Sequence, residues 1–374
     1  MRIGVIATDN LTGIGRVFQR TLGELVRLAP EHSFELLVPS TAVQVPAFPG
    51  VNRHSFSAPP FPVLGRYLRD RTLRGLAKRL KLDVLHDLSN GGLPLGSTHA
   101  LKVETVHDTV PYVYPDVVPA SVRRWYRFTI PKVLRGADVI ITVGNVVKRD
   151  LVRFLGISAA KIRVVQNGVD DRFKPLGGQG DLRRRLGFPF PFVLFLGNVI
   201  PKRNVHRLVR AFASIATRHP DTKLVLAGPY DSGLPYVVEL RRHIKDGGLD
   251  EKVFLTGFVE DDLLPWLYNA AEAFAYVPFY EGFCLPPLEA MACGIPVVVS
   301  DTPPLREVVE DGGLFVDPFS IEDIADGLEA ALFDGATRRE LGTRGIGRAK
   351  SLSWEKTARG VLAVYDEARS APGP

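Results

Sequence analysis

Short apolar runs alternate with amphipathic stretches along most of the chain. Arg2–Ala7 is apolar on both faces over a strand's length, as expected of a strand buried in a parallel sheet. Thr12-Gly13-Ile14-Gly15 then reads as a turn, and the 3.6-residue period of 16–28 predicts a helix. Further strands are predicted at 34–38, 83–86, 101–106 and 138–143, and helices near 66–80, 119–135 and 145–155. Residues 166–191, rich in Gly, Pro and charge, break the rhythm and read as a linker. The alternation restarts with strands at 192–196, 223–227, 253–255, 273–277, 296–300 and 313–316. Helices are predicted at 203–217, 235–246, 260–269 and 285–293, and three more at 320–332, 336–349 and 353–368. Strands alternating with helices imply parallel pairing and right-handed crossovers. The economical reading is α/β, two doubly wound halves of similar plan, with boundaries near 174 and 355. Two such sheets facing across a cleft would place a ligand beyond the carboxyl ends of their strands.

Length agrees: 374 residues exceed one compact core and suit two domains of roughly 150–200 residues. With 45% apolar and 24% charged residues, disordered and fibrous classes are excluded. Cys284 and Cys293 are too few for a disulfide framework or a four-cysteine zinc site, which fits a reducing cytosol. The first apolar stretch meets Asp9 too soon for an export signal, and the charge-free run Leu186–Ile200, broken by Gly and Pro, is too short to cross a bilayer. A cytoplasmic location is the expectation. The net charge of +6 is uneven, +11 over residues 1–175 and −5 over 176–374. A basic first half points to an anionic partner of some kind.

The densest chemistry lies in Glu281-Gly-Phe-Cys-Leu-Pro-Pro-Leu-Glu289. Gly282 lets backbone approach a ligand, and the amides of Phe283, Cys284 and Leu285 at a helix start suit an anion. A carboxylate one turn into that helix, Glu289, has the geometry to accept two hydrogen bonds from a sugar diol. No nucleophile–base triad pattern is visible, and neither is a metal-ligand spacing: no Asp-x-Asp ends a strand and the histidines are scattered. The adjacent pairs Asp170-Asp171 and Asp261-Asp262 read as solvated surface.

The string EGFCLPPLEAMACGIPVV resembles the signature of the retaining, nucleotide-sugar-dependent glycosyltransferases of family 4, which have the two-domain GT-B fold. Other segments agree in order. Leu194-Phe-Leu-Gly197-Asn198-Val-Ile-Pro-Lys202-Arg203-Asn204 resembles the family's diphosphate loop, with Lys and Arg in exchanged order. Asn167-Gly168-Val169-Asp170 resembles its interdomain segment. Val106-His107-Asp108-Thr-Val-Pro111 resembles the His-Asp motif of O-antigen-type mannosyltransferases, and Thr12-Gly13-Ile14-Gly15-Arg16 the N-terminal glycine loop.

The resemblance implies roles for each. Lys202 and Arg203 would clamp the donor diphosphate, with Gly197 and Asn198 lining that loop. Glu289 would hold the ribose hydroxyls, Glu281 the donor-sugar hydroxyls near C3, and backbone at Gly257-Phe258-Val259 the base. Gly13 and Gly15 would admit the donor from the first domain. His107 would touch the sugar near O6 or the reacting centre, and Asp108 would place the acceptor. His86-Asp87, ending an earlier strand, is a second pocket-lining candidate. The final helix, about 356–374, would return to the first domain.

The implied reaction is metal-independent transfer of a hexose from a GDP- or UDP-linked donor, as co-substrate rather than resident cofactor, to a glycan or lipid-linked acceptor. The His-Asp context tilts the donor toward GDP-mannose. A sugar-nucleotide epimerase of the same fold and a silent sugar-nucleotide-binding module remain as alternatives. The basic stretches 66–81 and 123–128, the latter interleaved with Trp125, Tyr126 and Phe128, suit either a solvated surface or an anionic membrane. Salt-sensitive binding of residues 1–175 to anionic liposomes is the signature of the second. Nucleic acid is disfavoured, since no recognised binding module accompanies the charge.

Overall fold

The computed structural model describes residues 1–8, 13–40, 42, 45–57 and 64–370; Thr12 of the glycine loop lies outside them. The chain divides into two compact units. The first comprises Met1–Pro115, Pro119–Gly168 and Ser353–Pro374, and the second Asp116–Val118 and Val169–Leu352. Most of the segment read as a linker therefore belongs to the second unit. Within it Gln179–Arg185 is a helix, fastened by Gln179 Nε2 donating to the Ala271 carbonyl (2.7 Å) and Arg183 Nε to that of Ala270 (2.9 Å). Side-chain bonds to backbone leave no apolar period in the sequence, which is why this segment looked structureless.

The first unit is built on a parallel sheet. Its strands are β1 (Arg2–Ile6), β2 (Ser33–Pro39), β3 (Val51–Phe56), β4 (Val84–Asp87), β5 (Leu101–Val106), β6 (Val139–Thr142) and β7 (Ile162–Val164). Their order is β3-β2-β1-β4-β5-β6-β7, reversing direction at β1/β4. The interior strands are those the pattern predicts. β3 and β7 escape it because both sit at edges; in β3 only Phe56 is buried.

The first helix starts at Gly13, so Gly13 and Gly15 lie in its first turn rather than in a preceding loop. The stretch 119–135 is two helices, Ala120–Phe128 and Ile130–Gly136. Pro131, lacking an N–H, cannot continue the first hydrogen-bond ladder.

The helix Trp354–Ser370 completes this unit. Ala358, Val361, Val364 and Tyr365 join one core cluster with Phe18, Leu22 and Leu25 of the first helix. The Tyr365 hydroxyl is hydrogen-bonded to His86 Nδ1 (2.6 Å), and His86 Nε2 to Thr105 Oγ1 (2.8 Å). Where the chain leaves this unit, a Cβ on Gly168 would stand 2.1 Å from the Trp354 nitrogen. Only glycine fits there.

The second unit has a parallel sheet of β8 (Phe192–Leu196), β9 (Lys223–Ala227), β10 (Val253–Gly257), β11 (Ala273–Tyr276), β12 (Val297–Ser300) and β13 (Leu314–Val316). The order is β10-β9-β8-β11-β12-β13, the dinucleotide-fold order with its switch point at β8/β11. Every residue of β8 is buried, as its unbroken apolar sequence requires. A short helix, Pro303–Val309, was not anticipated.

Candidate functional site

Switch points of open α/β sheets leave a crevice at the strand ends. In the second unit the loops after β8 and β11 supply its side chains. The β8 loop ends in one tight turn, Pro201–Arg203, and Asn204 takes a left-handed conformation (φ 58°) that starts the helix Val205–Arg218. The buried Asn204 side chain donates from Nδ2 to the carbonyls of Val277 (2.9 Å) and Pro318 (2.7 Å), tying three loops together. The Phe279 amide donates to the Lys202 carbonyl (3.1 Å), a second tie between the β8 and β11 loops.

These ties converge Lys202, Arg203 and Glu281. Arg203 Nη1 stands 2.7 Å and Lys202 Nζ 3.4 Å from Glu281 Oε1, and the Arg203 guanidinium lies over the Tyr276 ring at 5.0 Å. Glu281 is only 6% exposed. Burial alone would raise its pKa, but Arg203 and then Lys202 outweigh burial and hold the carboxyl below its usual range. Glu281 is therefore ionised, and two cations face one carboxylate. Arg203 Nε is buried with no hydrogen-bond partner among the described residues. A buried unpaired donor is costly, and a ligand acceptor would relieve it.

Gly282, Phe283 and Cys284 lead from Glu281 into the helix Leu285–Ala292. Phe283 and Leu285 bury their side chains and so fix this loop's backbone. Cys284 has φ 63°, a left-handed conformation uncommon for a residue with a Cβ. Pro286 and Pro287 carry no N–H, so this helix start offers fewer amides than a helix start normally does. Glu289 is 4% exposed, and its Oε2 accepts from the Tyr268 hydroxyl (2.8 Å). Burial pushes the Cys293 thiol up to about 12, which makes it an inert core residue at neutral pH.

On the other side of the switch point, Gly197 and Gly228 end β8 and β9. A Cβ on Gly228 would meet the Gly197 carbonyl oxygen at 2.3 Å, so the two backbones stack closely. Asn198 and Phe258 are exposed, and Val259 is half-buried just past β10. The aspartates read as solvated are partly engaged. Arg172 pairs with Asp261 and reaches within 3.8 Å of Asp170 and 3.6 Å of Asp262.

In the first unit His107 follows β5 and is 7% exposed. Its Nε2 donates to the Leu88 carbonyl (2.6 Å), and its amide to Asn90 Oδ1 (2.6 Å). Burial lowers its pKa, so the ring is neutral and Nδ1 keeps a lone pair. Asp108 is half-buried beside it, its Oδ1 accepting from the Val110 amide (3.3 Å).

His86-Asp87 does not line a pocket; both residues are fully buried. Burial drives the pKa of His86 down to about 3, which fits a neutral core residue between Tyr365 and Thr105. Asp87 lies in register with Glu104 on β5, and both are fully buried. Asp87 accepts from Ser89 Oγ and the Gly92 amide, and Glu104 from the amides of Gly91 and Leu93. Arg66 and Arg69 grip the carbonyls of Gly91, Gly92 and Leu93. This clamp fixes the Leu88–Leu93 loop, and with it the two atoms that hold His107.

Burial, and then Asp87, raise the Glu104 pKa well above its ordinary 4.5. The native state thus keeps a proton that the unfolded chain loses above about pH 4.5, so this stabilisation is full at low pH and falls as pH rises. Glu104→Gln replaces the protonated acid by a neutral amide. As pH rises above about 4.5 wild type should lose stability relative to this variant, by up to about 1.4 kcal/mol per pH unit, read from melting curves. Parallel profiles would show that Glu104 is ionised in the native state.

Asn204, Tyr276, Tyr268, Asn90 and Glu104 were not among the residues expected from the sequence. Asn204 alone was legible, since it stands inside the motif that holds Lys202 and Arg203.

Two parallel sheets of dinucleotide-fold order, one with two cations and a carboxylate at its switch point, define a GT-B glycosyltransferase. The description Glycosyltransferase Family 4 matches residues 11–173, and Glycosyl transferases group 1 matches residues 181–348. The O-antigen chain mannosyltransferase B of Escherichia coli is 30% identical over 270 residues, 70% of this chain and 69% of that protein. A D-inositol 3-phosphate glycosyltransferase of Actinosynnema mirum is 35% identical over 64% of this chain and 59% of its own length. The chain belongs to glycosyltransferase family 4. Among solved structures, sucrose-phosphate synthase from Thermosynechococcus elongatus matches all of both chains with a TM-score of 0.82 at 23% identity. Anabaena HepE in complex with UDP-glucose matches 98% of this chain and 100% of its own, with a TM-score of 0.79 at 19% identity. At these identities the likeness is one of fold. No helix of the described residues is long and apolar enough to cross a membrane.

Proposed function

We propose that this chain transfers a hexose, with retention and without a metal at the reacting centre, from a nucleotide sugar to a glycan or lipid-linked hydroxyl. The observation that carries this is the Lys202–Arg203–Glu281 cluster, with its buried and unpaired Arg203 Nε. The two cations neutralise the diphosphate as charge develops on it, which is the work a divalent ion does elsewhere. Glu281 orients Arg203 and Lys202 and accepts from hydroxyls of the donor sugar. Glu289, held by Tyr268, accepts from the ribose diol. Backbone at Gly257, Phe258 and Val259 receives the base, and the first turn of the first helix, with Gly13 and Gly15, lets the donor approach the first unit's backbone. His107 Nδ1 accepts a sugar hydroxyl, and Asp108 places the acceptor.

The two carboxylates named here are engaged with the cations and with Tyr268, which leaves neither as an evident covalent nucleophile. Same-face displacement, with the departing diphosphate assisting the incoming hydroxyl, is therefore the route we favour. Mannose is the favoured sugar, on the His107-Asp108 context and the similarity to an O-antigen mannosyltransferase. A lipid-linked acceptor is supported by the basic helix Ala120–Phe128, where Trp125 is 38% and Phe128 59% exposed.

Melting the protein with GDP, UDP and their common sugar conjugates tests the donor, because specific binding raises Tm by mass action. GDP-mannose should give the largest rise. A larger rise with a UDP-sugar would overturn the choice of base, and no rise with any of them would overturn nucleotide-sugar binding.

A further inference from the structure

The histidines, scattered in sequence, do not stay scattered in the fold. His206 lies in the first turn of the helix Val205–Arg218, and Glu239 and His243 lie one turn apart on Pro235–Asp246. One ligand atom from each of these three side chains lies within 4.8 Å of the other two. His206 and His243 are half-buried and Glu239 is exposed.

Both rings are already fixed by the bond a metal-binding histidine needs. His206 Nε2 donates to the Tyr236 carbonyl (2.9 Å), and His243 Nδ1 to the Glu239 carbonyl (3.1 Å). Each neutral ring then keeps its lone pair on the other nitrogen, Nδ1 of His206 and Nε2 of His243. An N–H held by a backbone carbonyl is the usual outer support of a histidine ligand, because it sets both the tautomer and the ring plane. Contact of the His206 ring with the tilted Tyr236 ring, centroids 4.2 Å apart, restrains it further.

We propose that His206, Glu239 and His243 form a binding site for a Zn²⁺-class divalent cation, separate from the nucleotide-sugar site. Two imidazoles and one carboxylate suit a borderline ion such as zinc and supply too few oxygens for calcium or magnesium. Bonds of 2.0–2.1 Å set ligand atoms about 3.3 Å apart around a tetrahedral ion. Rotation of the exposed Glu239 side chain and a small shift of His243 close the remaining gap. The fourth position is left to water. The charge of Arg210, which acts on His206, opposes a cation there.

Such an ion would staple the helix Pro235–Asp246 to the first turn of Val205–Arg218. His206 comes two positions after Asn204, whose side chain ties the diphosphate loop together. The bound ion would therefore brace that loop from behind without entering the reaction.

The test uses the full chain stripped with chelator and titrated with ZnCl₂ against a chromophoric zinc competitor. Wild type should bind one equivalent and melt at a higher temperature with zinc than with EDTA. His243→Ala and Glu239→Gln should each weaken zinc binding at least 10-fold. His219→Ala, at a histidine paired with Glu329 elsewhere in the unit, should bind as wild type does. Wild-type affinity in a His206→Ala/His243→Ala double variant would overturn the site, as would no zinc uptake by wild type below about 100 µM. Circular dichroism of each variant separates lost ligation from lost fold. Titration of the stripped protein with GDP reads the nucleotide site independently.

Discussion

Arg203→Ala should lower the affinity for a nucleoside diphosphate by about 10²-fold in calorimetric titration. A hydrogen bond to a charged group contributes about 1.5–3 kcal/mol, and the guanidinium presents several donors to the diphosphate, including the buried unpaired Nε. The substitution also removes the strongest of the groups that lower the Glu281 pKa, leaving Lys202 alone against a buried carboxylate. Part of the loss therefore comes from a cluster disturbed before any ligand arrives, and the variant should melt lower than wild type. Arg203→Lys separates the effects. It restores the charge near Glu281 but not the fork, so affinity should recover to within about 10-fold of wild type. Unchanged diphosphate binding in the alanine variant would remove Arg203 from the donor site.

His107→Ala has its largest effect on turnover. A neutral ring aimed by the Leu88 carbonyl offers a fixed acceptor at Nδ1, and a positioned group of this kind contributes about 10²-fold or more to rate. We expect kcat to fall by about that factor while diphosphate affinity stays within about 3-fold, since the proposed diphosphate clamp, Lys202 and Arg203, belongs to the other unit. Wild-type kcat would exclude His107 from the reaction. Equal losses in kcat and diphosphate affinity would instead indicate a structural role for the ring.

The sequence carried the interior of both sheets because strands buried on both faces are mostly apolar, as Phe192–Leu196 is throughout. The edges of the first sheet were lost for the converse reason. Val51–Phe56 alternates no apolar face, and its place is set by pairing with Ser33–Pro39 rather than by its own composition. In the candidate site, Lys202, Arg203, Glu281 and Glu289 were legible as dense local strings. The contacts that orient them were not. Tyr268 reaches Glu289, and Asn204 reaches Val277 and Pro318, only across the fold, and no local pattern encodes such distances. His86-Asp87 shows the opposite error. A polar pair at a strand end looks like site chemistry, but Tyr365, supplied from the far end of the chain, turns that histidine into core. Arg172 likewise converts aspartates that looked like free surface into an ion-pair network.

The return of Trp354–Ser370 to the first unit sets an order of events during synthesis. The strands of that unit leave the ribosome before the second unit does, yet their core lacks Ala358, Val361, Val364 and Tyr365 until the helix Trp354–Ser370 emerges. The second unit, continuous from Val169 to Leu352 apart from Asp116–Val118, has all but its own end in hand well before that. The unit begun before the other is thus completed after it. Throughout that interval the apolar face of the first helix that Trp354–Ser370 covers in the finished fold lacks that cover, and exposed apolar surface of this kind invites chaperones and neighbouring nascent chains.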